Sequence, residues 1–180
     1  MYLVSIYFDN ETEDRLNLIL QRVAKATGNY FMLDNQVPPH ITVASVETKH
    51  EGELIARIES IAKDLKQGEI KFVSAGSFST KVVFVQPVLN GYLHQLSMVL
   101  SKEFGQMEET ILSPYYQPFS WVPHCTIGKQ LSKEEVQKAL IELSAQFVPI
   151  NAFVTRIGVA KTNPHRDIKI WNLKDDIEKR

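Results

Sequence analysis

The chain has 180 residues, 44% hydrophobic and 23% charged, which excludes disordered, collagen-like and coiled-coil proteins. A chain of this length buries about 70% of its unfolded surface and needs no disulfide or metal staple. Basic and acidic residues nearly cancel, 20 against 21, so there is no global positive field to hold duplex DNA, although a local anion pocket is allowed. Taken in chain order, Tyr2 to Phe8 reads as a strand of β-branched and aromatic residues ended by Asp9-Asn10. Asp9, Asn10 or Thr12 can cap the next segment, where Leu16, Ile19, Leu20, Val23 and Ala24 recur at helical spacing until Gly28. Val37-Pro38-Pro39 is a stiff approach to a short strand from His40 to Val46. Leu54, Ile58, Ile61 and Leu65 predict a second amphipathic helix, closed by Gly68. Ile70 to Ser79 and Val82 to Gln86 read as a hairpin, and Leu93, Leu96, Leu100 and Phe104 as a third helix.

Residues Thr110 to Val122 read as a loop rich in aromatics and prolines, followed by a short strand from His124 to Gly128. Ser132-x-x-Glu135 is a capping box opening a helix with Val136, Leu140, Leu143 and Phe147 on one face. Phe153 to Lys161 and Ile168 to Leu173 predict a last hairpin, turning through Thr162-Asn163-Pro164, and Asp175 to Arg180 a frayed tail. Hairpins beside helices favour α+β over a doubly wound parallel sheet. A repeat runs through this order. Pro39-His40-Ile41-Thr42 and Pro123-His124-Cys125-Thr126 each precede a helix and then a hairpin strand, carrying Gly76 and Gly158 respectively. The histidine-to-glycine separations are 36 and 34 residues, so two lobes related by a pseudo-twofold axis are expected.

Of the five histidines only His40 and His124 follow a proline and have Thr two residues on. Residues i and i+2 share a strand face, so each imidazole projects beside its own Thr hydroxyl while Ile41 and Cys125 point the other way. Imidazole titrates near neutral pH, so one ring can act as general base and the other as general acid. A Thr hydroxyl can donate to a non-bridging phosphate oxygen. Together they form a kit for cleaving a phosphodiester without metal.

The paired Pro-His-Ile-Thr-Val and Pro-His-Cys-Thr-Ile motifs, 84 residues apart, resemble those of the two-histidine (2H) phosphoesterase superfamily, whose best-known branch is the 2′-5′ RNA ligase/cyclic phosphodiesterase group. The resemblance extends in element order from Tyr2 to about Leu173. It implies an α+β fold of two pseudo-twofold lobes, each an antiparallel sheet with helices packed outside, around a central cleft. It implies metal-independent chemistry without a cofactor on cyclic phosphates or 2′-5′ linkages of nucleotides or RNA ends. His40 and His124 become the acid/base pair, and Thr42 and Thr126 the phosphate ligands. The ligase-like branch often has Arg where this chain has Lys129, which keeps the charge but not the bidentate fork.

Other readings stand beside this one. Either His-x-Thr can be a packed strand segment, and the pair can bind a phosphoester without cleaving it. Cys125 points away from His124 and reads as a small core residue. A zinc site through His40 and His124 has no supporting ligand spacing, and His50, His94 and His165 have no partner signature. Tyr115, Tyr116, Phe119 and Trp121 crowd the approach to the second motif, where aromatics either stack on a nucleobase or close a core. Ser5 and Tyr7 share a face of the first strand and border the cleft if that strand neighbours the motif strands. Lys161 and Arg166 flank the last turn and read as solvent-facing. The lone Cys125 fits a reducing compartment. The N-terminus lacks a basic n-region, and no apolar run approaches the roughly 18 residues of a membrane span, so a cytoplasmic monomer that needs no membrane is expected.

Overall fold

The computed structural model describes residues 1–79, 81–162 and 166–175. The expected turn at Asn163-Pro164, His165 and the tail beyond Asp175 lie outside the described residues. Strand β1 (Tyr2–Phe8) leads into α1 (Asn10–Thr27), α2 (Phe31–Asp34) and β2 (Ile41–Glu47). Then come α3 (Glu51–Ala62), the hairpin β3 (Gly68–Phe78) and β4 (Val82–Pro87), and α4 (Gly91–Phe104). The chain continues through β5 (Ile111–Leu112), a 3₁₀ turn (Pro114–Tyr116), β6 (Cys125–Lys129), α5 (Lys133–Gln146), β7 (Ile150–Lys161) and β8 (Arg166–Asn172).

The helix signals act as their chemistry dictates. Asp9 accepts the Thr12 amide at 3.0 Å, and Gly28 closes α1 in the left-handed region at φ 78°. Ser132 and Glu135 make both arms of the capping box, the Glu135 amide donating to Ser132 at 3.2 Å and the Ser132 amide donating to Glu135 at 2.6 Å. Gly68 does not close α3, which ends at Ala62; it opens β3, where the Tyr92 ring of α4 lies over it and leaves no room for a Cβ. The segment expected to be a loop holds β5 and the 3₁₀ turn, and α2 carries too few residues to show a period.

All strands pair antiparallel in one eight-stranded sheet ordered β1-β2-β6-β4-β3-β7-β8, with β5 on β2. A further β1–β7 pairing closes six of them into a circuit. Within this circuit the pairings are unchanged when β1, β2 and β3 are exchanged for β4, β6 and β7; β5 on β2 and β8 on β7 lie outside the exchange. Helices follow the same exchange: α1 packs on β6 and β7, and α4 on β2 and β3. The expected pseudo-twofold is therefore present in topology, with the two halves sharing one sheet. It extends to register. Gly158, Ser5 and Thr42 lie side by side across β7, β1 and β2, as Gly76, Phe84 and Thr126 do across β3, β4 and β6. One hydrophobic core, including Val4, Ile6, Phe8, Leu16, Leu54, Phe72, Leu100 and Val154, binds sheet to helices. Among the described residues no helix is long and apolar enough to cross a membrane.

Candidate active site

The axis passes between β2 and β6, which meet at one registered pair, Ile41 opposite Cys125. Continuing that register by one residue either way sets His40 across from Thr126 and His124 across from Thr42. All four side chains share a face, while Ile41 and Cys125 are fully buried on the other. Burial pushes the Cys125 thiol up to about 12, so it is a core residue and no nucleophile. His40, Thr42, His124, Thr126 and Lys129 line one cleft of about 360 Å³. Its walls add Phe31, Met32 and Asn35 from α2 and its end, Phe78 from the tip of β3, Tyr116 from the 3₁₀ turn, and Gln130.

The two imidazoles are held in the same way. His40 Nδ1 lies 2.8 Å from the Pro38 carbonyl and His124 Nδ1 2.8 Å from the Val122 carbonyl. A carbonyl only accepts, so each Nδ1 carries hydrogen and each neutral ring keeps its lone pair on Nε2. The intervening Pro39 and Pro123, with φ fixed, turn the chain so that the carbonyl two residues back meets the ring. That gives the proline of each motif a physical task.

Behind the imidazoles the halves differ. Phe78 meets the His124 ring edge-on at 4.7 Å, and Phe84 lies 5.4 Å from it. Burial among these rings lowers the His124 pKa, opposed by its bond to the Val122 carbonyl. Behind His40 stands Tyr7, its ring 6.2 Å away, its hydroxyl donating to Asp167 at 3.2 Å and the Arg156 guanidinium 5.9 Å from its centre. Burial and Asp167 hold the Tyr7 hydroxyl far above the usual phenol range. The glycines of the repeat make room for these rings. A Cβ on Gly76 would stand 2.9 Å from Phe84 Cζ, and one on Gly158 3.0 Å from Tyr7 Cε2 and 3.0 Å from the Lys169 carbonyl oxygen.

Several expected site residues lie elsewhere. Ser5 and Tyr7 are each 2% exposed and do not border the cleft: Ser5 is turned onto Thr42 at 3.2 Å, and Tyr7 packs beside His40 with its hydroxyl on Asp167, so both stand behind lining residues. Trp121 is buried in the core, so the packing reading holds for it. Tyr115 and Phe119 are 79% and 83% exposed and outside the cleft, the Phe119 ring tilted against His94 at 4.6 Å. Tyr116 is the one aromatic of that loop in the cleft wall. Phe78, Phe84 and the α2 wall went unread in the sequence; the repeated Gly76 and Gly158 were the signal for the rings they accommodate. A larger hollow of about 720 Å³ lies across the circuit where β3 pairs with β7, with mixed charges and no histidine. Among the described residues no three His, Cys, Asp or Glu side chains gather to hold a metal.

A closed antiparallel sheet with two carbonyl-anchored histidines on its pseudo-twofold axis defines a two-histidine α+β protein. The sequence profile of the 2′-5′ RNA ligase superfamily matches residues 12–166, and the chain belongs to that superfamily, the two-histidine phosphoesterases. Its fold is similar to a crystal structure described as a phosphoesterase, at 16% identity and TM-score 0.61, with 96% of this chain and 98% of that one covered. It is similar to E. coli LigT complexed with 3′-AMP, at 14% identity and TM-score 0.59 over 96% and 97% of the two chains. It is also similar to TT0787 of Thermus thermophilus, at 13% identity and TM-score 0.62 over 97% and 98%. No curated protein sequence matches the chain significantly. The superfamily fold supports an activity of phosphoesterase type.

Proposed function

We propose that the chain is a metal-independent phosphodiesterase that opens cyclic phosphates or cleaves 2′-5′ linkages of nucleotides and RNA ends. The observation that carries this reading is the pair of imidazoles in one cleft, each with Nδ1 tied to a carbonyl so that Nε2 is the nitrogen able to exchange a proton. His124, kept neutral by burial, takes a proton from the attacking water. The water oxygen bonds to phosphorus, and charge builds on the non-bridging oxygens. Thr42, Thr126 and Lys129 stabilise that charge by hydrogen bonds and proximity. His40, protonated, gives its proton to the leaving ribose oxygen as the phosphorus–oxygen bond breaks. The product is a phosphomonoester, and exchange with solvent returns both rings to their starting states.

Both histidines come from one chain, so a monomer carries the whole site. The cleft volume suits about one nucleotide, and LigT, which shares the fold, has been crystallised with 3′-AMP and with ATP. These support a nucleotide or RNA-end substrate. The test is hydrolysis of 2′,3′-cyclic, 3′,5′-cyclic, 1″,2″-cyclic and 2′-5′-linked substrates in EDTA, with His40→Ala as control. Turnover of at least one substrate that vanishes in the variant supports the reading. Turnover of none, or turnover that dies in chelator and returns with zinc or manganese, overturns it.

A further inference from the structure

We propose that Ser5 is a positioning residue for Thr42, donating its hydroxyl proton to Thr42 so that the Thr42 proton is directed to the phosphate, and that the two threonines are thereby unequal. The inference rests on the phosphoester reading above.

Ser5 Oγ and Thr42 Oγ1 lie 3.2 Å apart, with the residues 2% and 6% exposed. Ser5 sits between Gly158 on β7 and Thr42 on β2, and Gly158 has no side chain to compete. A buried hydroxyl without a partner costs free energy, so the bond persists with the cleft empty or filled. Its direction is decided by counting protons. Each hydroxyl has one, and either atom can donate while the cleft is empty. A phosphodiester, or any phosphate oxygen that carries no proton, offers Thr42 only an acceptor, so Thr42 turns its proton to that oxygen and takes its second bond from Ser5. Two hydroxyls in series polarise one another, which makes Thr42 a better donor than an isolated threonine. The pseudo-twofold supplies an internal comparison. The position equivalent to Ser5 is Phe84, opposite Thr126, and a phenyl ring donates no such proton. Thr126 therefore acts without a relay.

The experiment measures the affinity for inorganic phosphate by calorimetry, and kcat/KM for a 2′,3′-cyclic nucleotide. It compares wild type, Ser5→Ala, Thr42→Ala, Thr126→Ala and the pairs of Ser5→Ala with each threonine variant. Ser5→Ala is expected to weaken phosphate binding about 3–10-fold, the worth of one neutral hydrogen bond. It should add nothing to Thr42→Ala and its full loss to Thr126→Ala, because only residues in one network couple. A side chain that merely held the strands together would lower both backgrounds alike, and that result overturns the proposal, as does an unchanged affinity in Ser5→Ala. Should Ser5→Ala fail to fold, Ser5→Cys, near in size and a weak donor, takes its place in the same cycle. Phosphate binding separates this inference from the catalytic reading: coupling of Ser5 to Thr42 without turnover retains the relay and removes the enzyme. A wild type that neither binds phosphate nor turns over the cyclic nucleotide removes both.

Discussion

The two motif histidines are alike in backbone anchoring and unlike in surroundings, and this sets the pH behaviour. A base works when deprotonated, so activity should rise as pH passes up through the His124 pKa and fall when His40 loses its proton. Burial lowers the His124 value, which places the acidic limb of kcat/KM below the usual histidine value of about 6.5. Phe78→Ala opens one wall of its apolar surroundings to water and should move that limb upward; a pH–rate profile reads the shift. His40→Ala and His124→Ala should each cost about 10²-fold or more in kcat, and the double variant much less than the product, since a pair acting together is lost with its first member. Trp121→Ala should destabilise by about 3–5 kcal/mol in urea unfolding, as for any large buried ring, whereas Phe119→Ala should leave turnover unchanged. The histidines and threonines were legible because a strand's period of two fixes which residues share a face. The rings around His124 were not, because Phe78 and Phe84 reach it across strand pairings that no local pattern encodes.

Among the elements, the long strands show most clearly how packing dictates residue choice. Gly76 and Gly158 lie within β3 and β7, where glycine weakens a strand; Gly76 is explained by the Phe84 ring lying against it, and Gly158 by Ile170, the Lys169 carbonyl and the Tyr7 ring together. Gly76→Ala should destabilise by about 1–3 kcal/mol and reduce activity by displacing Phe84 from His124; exchanging Phe84 for Leu in the same chain should recover part of the stability. Gly158→Ala should cost more, because the Lys169 carbonyl as well as Tyr7 stands in the way and backbone yields less readily. Equilibrium unfolding of the variants checks both. Helices α1, α4 and α5 were legible from caps and apolar spacing, and the α5 capping box was readable to the residue. Gly68 misled because glycine is as fit for a close approach as for a helix stop, and only the Tyr92 ring, distant in sequence, decides between them. The α2 wall of the cleft had no signal to read, one helical turn being too short for periodicity.

For the whole molecule, the two-lobe expectation anticipated the exchange of halves but not the closure of six strands through β1 and β7, since which edges meet depends on long-range pairing. The shared sheet has a consequence for catalysis. In a symmetric homodimer of half-chains both imidazoles would have one pKa. Independent titration of two identical groups leaves at most about half of molecules with one ring protonated and the other bare. Tethering the halves in tandem releases them from identity, so that one position can hold Ser5 and its equivalent Phe84. Once the two pKa values are driven apart, the productive protonation state can occupy nearly the whole population over the pH interval between them. On the proposed mechanism, covalent fusion lets base and acid be tuned separately, and the burial that lowers the His124 pKa has no counterpart dictated by symmetry at His40.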